Sequence, residues 1–220
     1  MASPDIRTRR VPPDTVPSRG IDAALDRVKR NISRHVKLTD DEFERFASML
    51  VSRRIRKKER LLRAGELCWF EGFVHTGCLR VYCTDNEGAD HILCFAPEDA
   101  WFTDVQSFVS KKPAQLNIDA VESSDVLLIP GSSKERLYRE VPKFERLSRL
   151  MAQWALVALQ ERLIGCMRLT AAERYRDFKD RYPALVNRIP QYQIAAYLGI
   201  SPEFLSKIRR PPRRNRFRRQ

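Results

Sequence analysis

The stretch Gln191-Tyr-Gln-Ile-Ala-Ala-Tyr-Leu-Gly-Ile-Ser-Pro-Glu-Phe-Leu-Ser-Lys-Ile-Arg-Arg210 reads as a helix, a glycine turn and a second, basic helix. Ile194, Ala195 and Leu198 make one apolar stripe. Gly199 supplies the left-handed conformation that ends a helix. Ile200 follows pointing inward, Ser201 is placed to cap the next helix, and Pro202 suits its first turn. Leu205 and Ile208 form the buried side of that second helix. Ser201, Glu203, Phe204, Ser206, Lys207 and Arg210 are left for its start and its exposed sides. Ala195, four residues before the glycine, keeps the paired helices close. The pattern predicts a helix-turn-helix whose second helix enters a DNA major groove. An ordinary helical hairpin is the alternative, because Ala and Gly recur at this spacing by chance.

Charge favours the first reading. The formal net charge is +13, and eight Lys/Arg without a single acid lie from Lys207 to the end of the chain. Pro211-Pro212 stops the helix there. A cluster of this kind attracts phosphates with strong salt dependence, although basic chain ends are also often simply solvated.

At 220 residues, 43% hydrophobic and 31% charged, the sequence is that of a globular protein with one large domain or two small ones. No run of about eighteen apolar residues is present, so no membrane span is expected. Residues 1–20 are rich in Pro, Arg and Ser and lack a signal-peptide core, which predicts a disordered basic tail and a cytoplasmic protein. The cysteines (Cys68, Cys78, Cys83, Cys94, Cys166) are odd in number and contain no Cys-x-x-Cys pair, so most are expected as small buried hydrophobes in strands. His35, His75 and His91 are scattered, and no metal site is expected.

Helical periodicity runs from Ile21 to about Val51 through Leu25, Val28, Ile32, Phe43, Phe46 and Leu50. Thr39 and Glu42 are spaced as a capping box. From Ile55 to Pro130 the period changes to short strands. The clearest are Phe73-Val74, Leu79 to Cys83, His91 to Phe95, Leu116 to Val121 and Val126 to Ile129, with turns at Gly65, Gly77, Gly88 and Pro97. This predicts an antiparallel barrel or jelly roll. A helix from Pro142 to about Arg168 follows, with Leu147, Leu150, Trp154, Val157 and Ile164 at three- and four-residue steps. Such a helix, roughly 40 Å long, outruns a small barrel, and its apolar face is expected to meet the same helix of a second subunit. Packing wholly against its own barrel is the alternative. Thr170 and Glu173 open a further helix holding Tyr175 and Phe178.

The sequence is thus α+β: a disordered segment (1–20), a barrel with N-terminal helices (21–140), a dimerisation helix (141–168) and a helix-turn-helix region with an Arg-rich end (169–220). That order, with Leu61-Leu62-Arg63-Ala64-Gly65-Glu66, Gly77-Cys78-Leu79-Arg80-Val81-Tyr82, Thr170-Ala171-Ala172-Glu173-Arg174-Tyr175 and Ile194 to Ser201, resembles the Crp/Fnr transcription regulators over about residues 25 to 210. The resemblance implies a cyclic-nucleotide-binding-like barrel and a homodimer on a two-fold symmetric operator. It also implies double-stranded DNA and RNA polymerase as partners. It puts the recognition helix at about Pro202 to Arg210. Pro202 stands where better-known members carry a base-reading arginine, so their operator is not carried over. Glu203 and Lys207 match the other two base-reading positions, where they would face a cytosine amino group and a guanine edge. Ser201, Ser206, Arg209 and Arg210 are expected on phosphates. The chain after the helix is short for a wing hairpin, leaving backbone contacts to the Arg-rich end.

The effector segment departs further from the family. Thr103-Asp104 falls where nucleotide-binding members carry Gly-Glu, and the phosphate-binding arginine falls near Ala114. Asp104 could meet a hydroxyl, and Lys111 or Lys112 a phosphate, but none supplies a bidentate guanidinium. Cyclic AMP is therefore not the expected ligand, and Trp101, Phe102 and Phe108 are expected to fill part of the cavity. The four-cysteine arrangement of the family's oxygen sensors is missing, so no iron–sulfur cluster is expected. Two other readings stand beside this one: a ligand-sensing or scaffolding barrel with vestigial DNA binding, and a cupin-type metalloenzyme, disfavoured by the missing His-x-His pair.

Overall fold

The computed structural model describes residues 20–209. The expectations for the first nineteen residues and for the Arg-rich end, Arg210 included, lie outside the described residues. The chain divides into two compact units, one ending at Leu156 and the other beginning at Val157.

The first unit opens with α1 (Ile21–Ser33) and α2 (Asp40–Ala47). Thr39 and Glu42 form the expected capping box, each side chain taking the other's backbone N–H. Ala24, Val28 and Ile32 make the buried stripe of α1, with Leu25 half-buried beside it. The change of period comes earlier than the sequence indicates, because β1 (Val51–Ile55) begins directly after Leu50. The strands β2 (Arg60–Leu62), β3 (Phe70–Thr76), β4 (Leu79–Thr84), β5 (Asp90–Ala96), β6 (Trp101–Phe102), β7 (Asn117–Ala120) and β8 (Ser124–Pro130) follow. They form two antiparallel four-stranded sheets, ordered β1-β8-β3-β6 and β2-β7-β4-β5. Gly65, Gly77 and Gly88 all have positive φ, as their turns require.

Two layers of core explain the strand sequences. Val74, Leu79, Val81, Ile118, Val126 and Leu128 point into the barrel. Phe73, Leu127 and Ile129 point the other way, against α1, α2, α4 (Gly131–Glu140) and the start of α5 (Lys143–Arg168). The β8 run Val126 to Ile129 is continuously apolar because both its faces are buried. The short α3 (Val105–Ser110) and α4 were not legible in the sequence pattern.

Helix α5 has 26 residues, about 39 Å of axis. Its first turns belong to the core of the first unit, where Phe144 stacks on Phe46 at 4.5 Å between ring centroids. Leu147 is buried there at 2% exposure, so it does not lie on the free face assigned to it from its spacing. It belongs to the same buried cluster as Phe43 and Phe46 of α2 and Leu137 of α4. Leu150 is half-buried. Trp154, Val157 and Ile164 are exposed, Trp154 at 63%. Leu156, Leu159, Leu163 and Met167 form a second exposed apolar series. At about 100° per residue it lies on a different side of the helix from the first.

In the second unit, α6 (Ala171–Arg181) starts at a Thr170/Glu173 capping box and buries Tyr175 and Phe178. Then come α7 (Gln191–Leu198) and α8 (Pro202–Arg209).

Candidate nucleic-acid interface and barrel interior

Helix α7 buries Ile194, Ala195 and Leu198 and ends at Gly199, which has φ 66° and ψ 40°. Ile200 is half-buried, and its N–H donates to the Ala195 carbonyl. Ser201 Oγ accepts from the Phe204 N–H at 3.2 Å, making it the cap of α8. Leu205 is buried and Ile208 half-buried, which turns Ser201, Glu203, Phe204, Ser206, Lys207 and Arg209 outward together. Glu203 is tied to the first turn. Its own backbone N–H and the Ser201 hydroxyl hold the carboxyl below the usual glutamate range. The face therefore presents an anion at the helix N-terminus, an exposed aromatic ring, and two cations toward the C-terminus.

The barrel interior differs from the effector pocket expected of its sequence. Asp104 is only 1% exposed and caps α3: Oδ1 accepts from Ser107 N at 2.9 Å and Oδ2 from Leu116 N at 3.2 Å. Its carboxylate is thus spent on main-chain amides. The Thr103 hydroxyl donates to the Phe70 carbonyl at 2.8 Å. Lys111 donates to the Phe108 carbonyl and lies over the Phe108 ring, and Lys112 is exposed. These four residues share one segment, but the structure does not converge them on a common ligand position. Ala114, at the arginine position, is buried in the barrel core.

Phe102 fills the core as expected, and Phe108 packs against it. Trp101 does not. It lies on the helix-covered side, beside Phe73, with Nε1 donating to Asn31 Oδ1 at 2.9 Å. The alternation of β6 sends adjacent residues to opposite faces.

On the non-core face of the other sheet, Arg80 grips Asp119 through two hydrogen bonds and Asp90 through a third. Tyr82 donates to Asp119 and lies under the guanidinium at 4.0 Å. Burial works against the Arg80 charge, but Asp119 outweighs it and holds the guanidinium above its ordinary pKa.

The cysteines also divide differently from the expectation. Cys68 and Cys78 are buried in connecting segments, strand residues Cys83 and Cys94 are exposed and half-buried, and Cys166 is exposed on α5. His91 pairs with Asp85 at 2.7 Å. Among the described residues no group of three or more His, Cys, Asp and Glu could hold a metal ion. No helix there is long and apolar enough to cross a membrane.

Residues 52–140 match the cyclic nucleotide-binding domain. Solved structures extend the likeness beyond that segment. FixK2 from Bradyrhizobium japonicum superposes with a TM-score of 0.65 at 22% identity, covering 72% of this chain and 82% of its own. A Eubacterium rectale protein assigned to the transcriptional regulators of the Crp/Fnr family gives 0.64 at 15% identity, covering 78% and 82%. The c-di-GMP-responsive global regulator CLP of Xanthomonas campestris gives 0.61 at 13% identity, covering 77% and 89%.

The chain has the fold of a Crp/Fnr regulator.

No curated protein matches it in sequence. Within this Crp/Fnr-type fold, two arginines escaped the sequence reading. Arg162 of α5 and Arg174 of α6 both donate to the last carbonyls of α7. Arg162 interrupts no apolar period and Arg174 directly follows the Thr170/Glu173 capping box, so neither position shows its partner in sequence.

Proposed function

We propose that the chain is a homodimeric, DNA-binding transcription regulator that reads a two-fold symmetric operator with α8 and does not respond to cyclic AMP. The outward face of α8 behind the left-handed Gly199 carries this reading. It combines a buried Leu205 with exposed Glu203, Phe204, Ser206, Lys207 and Arg209. Lys207 is the residue suited to a guanine edge. Ser206 and Arg209, with Arg210, are suited to phosphates, while Ser201 acts first as the cap. The exposed apolar residues of α5 from Trp154 onward support a dimer formed along that helix. RNA polymerase is the partner through which such a regulator acts.

The second half of the proposal rests on Asp104 being consumed by Ser107 and Leu116, and on an apolar Ala114 where a phosphate would need a guanidinium. Selection of bound sequences from a random duplex pool, with and without cyclic AMP, tests both halves. An enriched palindrome unchanged by the nucleotide is the expected outcome. Enrichment only with cyclic AMP overturns the effector reading, and no enrichment in either case favours a scaffolding role.

A further inference from the structure

We infer that Arg162 fixes the distance between the two operator half-sites, by clamping α7 to α5. The inference rests on the dimeric, DNA-binding reading above. The last carbonyls of a helix have no partner within it, and at the end of α7 two of them are taken by arginines from different helices. Arg162 Nη2 of α5 donates to the Tyr197 carbonyl at 2.9 Å, and its guanidinium lies 4.1 Å from the centroid of the Tyr197 ring. Arg174 Nη2 of α6 donates to the Leu198 carbonyl at 3.2 Å, while its Nη1 holds the Leu169 carbonyl, just past the end of α5, at 2.9 Å.

Tyr197 is thus held on two sides, with the Phe178 ring of α6 at 5.2 Å from its own. A planar guanidinium suits this position because it stacks and donates at once, and an ammonium does only the second. Beyond Leu198 there is only the Gly199 turn before α8, and buried Leu205 fastens α8 in the same unit. Within the second unit, the orientation of α8 relative to the end of α5 is therefore set where Arg162 meets Tyr197, with Arg174 holding the adjacent carbonyl. In a dimer joined along α5, that orientation determines how far apart, and at what relative rotation, the two α8 helices stand. Arg162 is a positioning residue: it touches no base, yet it selects operator spacing.

The test uses the full-length protein and the palindrome it enriches, remade with the centre lengthened or shortened by one and two base pairs. Each step changes both distance and rotation along the duplex. The wild type is expected to prefer one spacing by about tenfold or more, a penalty comparable to losing a base contact. Arg162→Ala is expected to bind all spacings within about threefold of one another while retaining its preference within each half-site and its dimeric mass. Arg162→Lys, which keeps a donor but not the stacking, is expected to fall between. Tyr197→Leu removes the stacked ring from the other side and should relax spacing as well, which keeps the test open if Arg162→Ala does not fold. A spacing profile as sharp in these variants as in the wild type overturns the inference, whatever happens to overall affinity. A wild-type protein that enriches no palindrome removes the DNA reading itself, and the inference with it.

Discussion

The ring of Phe102 occupies the space that a side chain on Gly72 would need. The two residues pair directly across β3 and β6, and a Cβ at position 72 would fall inside van der Waals distance of three ring atoms. Gly72 thereby lets β6 lay an aromatic ring over the backbone of β3 and into the barrel core. Gly72→Ala is expected to cost about 1–3 kcal/mol through overpacking, and the double variant Gly72→Ala/Phe102→Leu to recover part of it. Urea denaturation of both checks this, and an unperturbed Gly72→Ala protein would show that the ring is free to move.

Arg80 and Asp119 form a two-bond ion pair, 39 residues apart in sequence and mostly withdrawn from water. Removing one partner leaves the other charge poorly solvated. Asp119→Ala is expected to lose about 3 kcal/mol, and a double replacement of the pair by apolar residues to lose less than that single change. A double-mutant cycle in chemical denaturation measures the difference.

Trp154 and Leu147 lie on one spacing series of α5 but should fail in different ways. Trp154→Glu is expected to give monomers in sedimentation with little change in unfolding, because the ring is exposed within the chain. Leu147→Ala should leave the association state intact and destabilise the first unit by about 2–5 kcal/mol. A Trp154→Glu protein that stays dimeric would reject the α5 interface.

Lys207 projects from α8 with solvent around it. If it donates to a guanine edge, Lys207→Ala should weaken operator binding by about 1–3 kcal/mol and flatten preference at one position of each half-site. A uniform loss at every position, with a shallower salt slope, would instead make it a phosphate contact.

Glu173 is expected to make the stability of the second unit acid-sensitive. The Thr170 N–H first, then the Thr170 hydroxyl, holds its carboxyl below the usual value of 4.5. A carboxylate with a lowered folded-state pKa stabilises the fold above its unfolded pKa, and that contribution disappears as pH falls through the folded value. Melting of the wild type should therefore decline on acidification from about pH 5 toward 3. Glu173→Gln should melt lower near neutrality and show a shallower acid limb. Parallel acid limbs in the two proteins would mean that the capping carboxylate does not contribute.

Much of the fold was legible because it is written locally. The capping boxes at Thr39 and Thr170, the positive-φ glycines at Gly65, Gly77, Gly88 and Gly199, and the stripe of α7 each depend on residues within a few positions of one another. The same locality made the exposed face of α8 readable, since burial of Leu205 follows from helical period alone. α3 and α4 were missed because one is only six residues long and the other buries a single side chain, Leu137. Neither leaves a periodic signal.

By itself the sequence determined the order of barrel, long helix and helix-turn-helix, because backbone periodicity, caps and turn glycines act over one or two turns of chain. Tertiary structure alone decided that Leu147 is covered while Trp154 is bare, that the second carboxylate oxygen of Asp104 goes to Leu116, and that Arg162 reaches Tyr197. Those outcomes depend on which distant group can replace a side chain's water at the lowest free energy, and spacing along the chain carries no record of that competition.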